Sequence, residues 1–152
     1  NRRAFDEELR HLLEAANPFC LIILDVDRFK KINDEFGHLF GDQVLKAIAR
    51  RVSDGCKPPY QGFRIGGEEI AVLLPGTNMA VARQFAESLR RGVEKLTVMD
   101  RKTGQRFNNV TASFGVTTFT AGDGYAEIMR RADDQLYHAK DLGRNRVMPM
   151  SL

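Results

Sequence analysis

Residues 2–16 place Phe5, Leu9, Leu12, Leu13 and Ala16 at helical spacing, and Pro18 ends the pattern. The run Phe19-Cys20-Leu21-Ile22-Ile23-Leu24 is continuously apolar and of strand length, as in a central strand covered on both faces. Asp25-Val26-Asp27 follows and puts acidic groups at that strand's C-terminal end. Phe29, Ile32 and Phe36 predict a short helix closed by Gly37. Asp42 is suited to cap a further helix whose apolar face is Val44, Leu45, Ile48 and Val52. Gly55, Pro58, Pro59 and Gly62 mark a loop. Phe63-Arg64-Ile65 and Ile70-Ala71-Val72-Leu73-Leu74 flank a Gly66-Gly67 pair and predict a β-hairpin, ended by Pro75-Gly76. Asn78 opens a long helix with Ala82, Phe85, Leu89, Val93 and Leu96 on one face. Residues 96–109 are polar and poorly patterned, with Gly104 in a turn. Val110, Ala112, Phe114 and Val116 alternate with Thr111, Ser113, Gly115 and Thr117, as in a strand. A last helix over 125–139 turns Ile128, Met129, Ala132, Leu136 and Ala139 inward.

A hairpin in the middle of a mixed order of helices and strands argues for an α+β sheet with helices packed on it, not a doubly wound parallel sheet. At 152 residues the chain is read as a single domain over 1–152. Its 43% hydrophobic content excludes a disordered chain. The 23 basic and 20 acidic residues leave a net charge of +3, too small to argue for a nucleic-acid partner. The longest apolar stretch, 19–24, is too short to span a bilayer, and no leader pattern appears, so no membrane contact by this domain is expected. Cys20 and Cys56 form neither a metal spacing nor a disulfide framework, which fits a reducing cytoplasm. The chain opens on Asn1, already inside a helical pattern, and is read as a piece of a longer protein.

Four clusters could carry chemistry. Asp25-Val26-Asp27 offers hard oxygen ligands on a rigid strand end, which suits Mg²⁺, although strands also simply end in polar residues. Gly66-Gly67-Glu68-Glu69 pairs glycines, free to take positive φ and to let a ligand approach, with adjacent carboxylates that repel each other unless a cation intervenes; a solvated turn is the alternative. A hairpin packed beside the central strand could bring Glu68 next to Asp25. Lys140-Asp141-Leu142-Gly143-Arg144-Asn145-Arg146 offers cations to a phosphate, and equally suits a basic helix C-terminus. Between Lys30 and Asp42, Asn33 and Asp42 carry the donors and acceptors that can read a guanine, while Asp42 also suits an N-cap. His38 has no second His at metal spacing and reads as a turn residue.

In order along the chain stand Asn1-Arg2-Arg3-Ala4-Phe5, Asp25-Val26-Asp27-Arg28-Phe29-Lys30-Lys31-Ile32-Asn33-Asp34 and Gly37-His38-Leu39-Phe40-Gly41-Asp42. Then come Arg64-Ile65-Gly66-Gly67-Glu68-Glu69-Ile70, Ser113-Phe114-Gly115-Val116, Ala132-Asp133-Asp134-Gln135-Leu136-Tyr137-His138-Ala139-Lys140 and Gly143-Arg144-Asn145. Together they closely resemble the GGDEF family of diguanylate cyclases over almost the whole chain. The resemblance implies a palm-like, five-stranded, mostly antiparallel sheet ringed by helices, and condensation of two GTP into cyclic di-GMP with release of pyrophosphate. Carried over by position, it gives two Mg²⁺, with Mn²⁺ as a substitute, to Asp25, Glu68 and the Val26 carbonyl, with Glu69 supporting the second metal or the developing charge. It gives guanine to Asn33 and Asp42, and the triphosphate to Lys140 and Arg144, helped by Lys30 and the amides near Phe29. His38, Arg64, Gly66 and Gly67 complete the substrate-binding set. It further implies a homodimer, each copy presenting its hydroxyl to the other's α-phosphate. An upstream sensory domain is implied as well, in a protein that is cytoplasmic or membrane-attached as a whole.

Two departures stand out. The signature reads Gly66-Gly67-Glu68-Glu69-Ile70, with Glu68 where the family most often has Asp and Ile70 where it has Phe. At the family's product-inhibition site, an Arg-x-x-Asp, this chain has Lys57-Pro58-Pro59-Tyr60, so tight feedback binding of cyclic di-GMP there is not expected. A catalytically inactive GTP-binding regulatory module is the alternative function. A polymerase or adenylyl cyclase relative is disfavoured by Asn33 and Asp42.

Overall fold

The structure, a computed structural model, describes residues 1–150. Strand β1 (Phe19–Val26) pairs antiparallel with β3 (Glu69–Pro75) on one side and β6 (Ala112–Thr118) on the other. The outer neighbours are β2 (Gln61–Arg64), antiparallel to β3, and β7 (Val147–Met148), parallel to β6, giving a five-stranded sheet of order β2-β3-β1-β6-β7.

Alternate residues of a strand face opposite sides of the sheet, and both sides here are packed. On one face Cys20, Ile22, Leu24, Val72, Leu74, Phe114 and Val116 meet α2 (Phe29–Phe36), α3 (His38–Gly55) and α4 (Met79–Glu94). On the other, Phe19, Leu21, Ile23, Ala71 and Leu73 meet α1 (Arg2–Ala15) and α5 (Tyr125–Asp141) through Phe5, Leu9, Ile128, Ala132 and Leu136. Every residue of β1 is therefore buried, which is why its sequence shows no alternation. Each such Leu, Ile or Phe contributes about 1.5–3 kcal/mol of burial free energy.

Two local readings are corrected. β1 continues to Val26, so Asp25 lies inside the strand and not beyond it. Asp42 caps nothing: α3 begins at His38 with Gly37 at its N-cap, and Asp42 sits exposed within the helix. The alternation of 110–117 does form a strand, β6, but one buried on both faces: Ser113 is fully buried and Thr117 nearly so. Gly115 is there because α5 crosses directly above it, where a Cβ would come within 2.4 Å of the Ala132 carbonyl oxygen.

Three elements are too short for periodicity to show. The segment 96–109 contains a small antiparallel pair, β4 (Val98–Met99) and β5 (Arg106–Phe107), around Gly104 at φ 71°. β7 spans only Val147–Met148. Among the described residues no helix is long and apolar enough to cross a membrane.

Candidate active site

The C-terminal end of β1 is where the polar groups converge. Asp25 is only 5% exposed, because it lies between two paired strands. Its Oδ2 accepts from the Lys140 ammonium on the last turn of α5, and its Oδ1 is buried with no partner. Directly across the β1–β3 pairing stands Glu69. Glu68 closes the connection from β2, and its carbonyl accepts from the Val26 amide at 3.2 Å, which ties the loop to the strand end.

The carboxylates perturb one another. Burial first, then the charge of Asp25, pushes Glu68 up to about 7, with Lys140 pulling the other way. Glu69 is raised by burial and by Asp133 and Asp25, and Asp133 on α5 is raised by its own burial. Unpaired acids held this close favour a cation between them. Among the described residues no three His, Cys, Asp or Glu side chains gather closely enough to hold an ion unaided. Two carboxylates and a strand-end carbonyl, completed by phosphate and water, are the donor set Mg²⁺ accepts, and the unpartnered Asp25 Oδ1 fits that use.

The glycine pair works differently from the sequence reading. Neither Gly66 nor Gly67 has positive φ. Gly67 has open space where a Cβ would stand, so what the glycine supplies is room for an approaching group. Arg64 reaches back to donate to the Gly67 carbonyl at 3.0 Å and braces the loop. Ile70 is buried and paired across from Leu24, so the position asks only for an apolar side chain.

A second group lies on α2 and α3. Phe29 and Lys30 occupy the first turn of α2, whose N-cap, Arg28, is left-handed and offers no side-chain cap; the first amides therefore remain available to an anion. Asn33 lies against Gly41, with its carboxamide oxygen buried and unpartnered. That contact sets Asn33 beside the residue preceding Asp42. Asp42 and His38 line a cavity of about 870 Å³ together with Lys46, Arg50, Arg101 and Lys102. Asn33 is not on that wall.

Elsewhere, Arg144 follows α5 with φ 64° and is half-buried. Tyr60 is packed edge-on against Phe85 of α4, ring centroids 5.2 Å apart, while Lys57 is exposed. The residues that pattern reading leaves without a role are Asp27, Thr111, Ser113 and Asn145. Asp27 is 6% exposed and accepts from Thr111 Oγ1 at 2.7 Å, Ser113 Oγ at 2.6 Å and the Asn145 amide at 3.0 Å. The available signal was the i, i+2 spacing of Asp25 and Asp27, which would put both on one side of an extended chain, although β1 ends between them at Val26.

A mostly antiparallel sheet with carboxylates at the end of its central strand and helices on both faces is the palm-like arrangement of nucleotidyl cyclases. Residues 1–146 match the family described as "Diguanylate cyclase, GGDEF domain". The chain is 51% identical over 150 residues to diguanylate cyclase VdcA of Vibrio cholerae, covering 99% of this chain and 44% of that protein. Among solved structures, the GGDEF domain of DgcB from Caulobacter crescentus, in complex with c-di-GMP, superposes with TM-score 0.91 at 36% identity, covering 97% of this chain and 88% of that one. An active GGEEF domain of a diguanylate cyclase from Vibrio cholerae superposes with TM-score 0.85 at 32% identity, covering 99% and 98%. This chain belongs to the GGDEF family of diguanylate cyclase domains. It spans less than half the length of VdcA.

Proposed function

We propose that the chain condenses two GTP into cyclic di-GMP with release of pyrophosphate, as one half of a symmetric pair. The supporting observation is the convergence of Asp25, Glu68, Glu69 and Lys140 at the end of β1, with one buried carboxylate oxygen left without a partner. The likeness to an active domain with Glu at the third signature position supports Glu68 as a competent replacement for Asp.

In this reading Asp25, Glu68 and the Val26 carbonyl hold Mg²⁺, or Mn²⁺ in its place, with Glu69 beside them. When bound, the metal supplies charge neutralisation at the α-phosphate and a lowered pKa for the attacking 3′-hydroxyl. Asn33 and Asp42 orient the base, with His38 at the rim. The α2 amides at Phe29 and Lys30 receive phosphate oxygens. Lys140 exchanges Asp25 for a phosphate oxygen as substrate arrives, and Arg144 adds a second fixed positive charge where the leaving group gathers negative charge. Gly66, Gly67 and the bracing Arg64 keep the loop open to the nucleotide. Each copy has one such set, so ring closure needs a second copy facing the first. Control by a sensory domain joined to this one is part of the proposal.

Glu68→Gln tests the assignment. It keeps the shape and removes the charge, so Mg²⁺-dependent turnover should be lost while the folded structure is retained. Turnover persisting at the wild-type level would remove Glu68 from the chemistry.

A further inference from the structure

Asp25, inside β1, and Asp27, one residue past the strand's end, are two residues apart and both buried. Their surroundings differ. Asp25 has one oxygen on Lys140 and one on nothing. Asp27 is saturated by protein: Oδ1 takes the Ser113 hydroxyl, and Oδ2 takes both the Thr111 hydroxyl and the Asn145 main-chain amide.

The third of those bonds reaches an unusual segment. Gly143, Arg144 and Asn145 have φ of 122°, 64° and 46°, three consecutive residues in the left-handed region. For the two non-glycine residues that conformation is unfavourable and persists only where surrounding contacts impose it. The contacts are identifiable. On one side Asp27 holds the Asn145 amide. On the other, the Asn145 side chain accepts from Arg90 at 2.9 Å and donates to Glu94 at 2.5 Å, both on α4. Asn145 is thus pinned between β1 and α4, and Arg144 is the residue immediately before it. The chain leaves α5 one turn earlier, at Asp141, the residue after Lys140.

We infer that Asp27 is not a metal ligand but a positioning residue: with Asn145 it fixes the Gly143-Arg144-Asn145 loop, and so sets Arg144 and the end of α5 for an incoming triphosphate. This rests on the proposed GTP reading above, because it is the triphosphate that gives those cations a ligand. Asp27 itself touches no reacting atom.

The test compares three variants with the wild-type chain in GTP turnover, Mg²⁺ titration, and calorimetric binding of GTP and of guanosine, with thermal unfolding recorded for each. Asp27→Ala removes all three acceptor bonds; the KM for GTP should rise roughly ten-fold or more, while guanosine binding stays as it was. Asp27→Asn should restore most of that loss. Its Oδ1 can still take the Asn145 amide, and its NH₂ can face the Ser113 hydroxyl, which also accepts. Asn145→Gly keeps the amide and the backbone conformation but cuts the α4 ties, and should raise the KM for GTP without changing the Mg²⁺ requirement. If Asp27→Asn is as inactive as Asp27→Ala and needs more Mg²⁺, Asp27 is a ligand and the inference is wrong. Equal loss of GTP and guanosine binding in Asp27→Ala would also overturn it, since the damage would then be general. Should Asp27→Ala not fold, Asn145→Gly decides alone: an unchanged KM for GTP overturns the inference. Absence of turnover in the wild-type chain would sink the proposed function instead, and the GTP and guanosine binding comparison would still decide the role of Asp27.

Discussion

Glu69 stands directly across from Asp25 in the β1–β3 pairing, so the register of two strands alone brings acids from two distant parts of the chain together. Glu68, the residue before, is pushed up to about 7, by burial first and then by the charge of Asp25. The unfolded chain loses that proton near the ordinary value of 4.5, and the folded chain keeps it until about 7. Between the two the unfolded state binds fewer protons, so stability falls as pH rises through that window. Measured without divalent cations, the melting temperature should drop from pH 5 to pH 7.5. Glu68→Gln should flatten the drop without abolishing it, because Glu69 and Asp133 are raised as well. An identical slope in the variant would contradict the assignment.

Gly41 is the seat of Asn33. A Cβ at that position would lie 1.8 Å from the Asn33 carboxamide oxygen, the end of a side chain that can rotate away. Gly41→Ala should fold, since alanine is the better helix former by about 1 kcal/mol. With Asn33 displaced, GTP binding should weaken roughly 3- to 10-fold, the value of one hydrogen bond, while pyrophosphate binding is unaffected. Calorimetry with both ligands checks this.

Gly115→Ala should behave oppositely. The added methyl meets the Ala132 carbonyl oxygen at 2.4 Å and the Leu136 amide nitrogen at 2.5 Å, both backbone, so α5 itself must move. The cost should be about 1–3 kcal/mol or more in chemical denaturation. Because α5 carries Lys140, activity should fall even in the fraction that remains folded.

Tyr60 is committed to Phe85, and Lys57 replaces the family's Arg, so no tight feedback site is expected on this loop. Titration of cyclic di-GMP should show no micromolar binding. Binding of that strength, abolished by Lys57→Ala or Tyr60→Ala, would reverse the expectation.

Long periodic elements were legible in the sequence: α1, α4, α5 and the apolar run of β1 all follow from spacing alone. Hidden features had physical reasons. β4, β5 and β7 are two residues each, shorter than any period. The burial of Ser113 and Thr117 was unreadable, because alternation assumes one wet face and β6 has none. Asp42 has the composition of a cap, yet the helix starts at His38, where the Gly37 backbone turns the chain without side-chain help. For the site, the motifs supplied the residue types, but the separate fates of Asp25 and Asp27 depend on Ser113 and Asn145, more than eighty residues away in sequence.

The most direct test is the product made from GTP and Mg²⁺ by the dimerised chain, resolved by chromatography and mass. The account predicts cyclic di-GMP with two pyrophosphates per ring. Tight GTP binding with no cyclic product would contradict it and leave a GTP-binding regulatory module in its place.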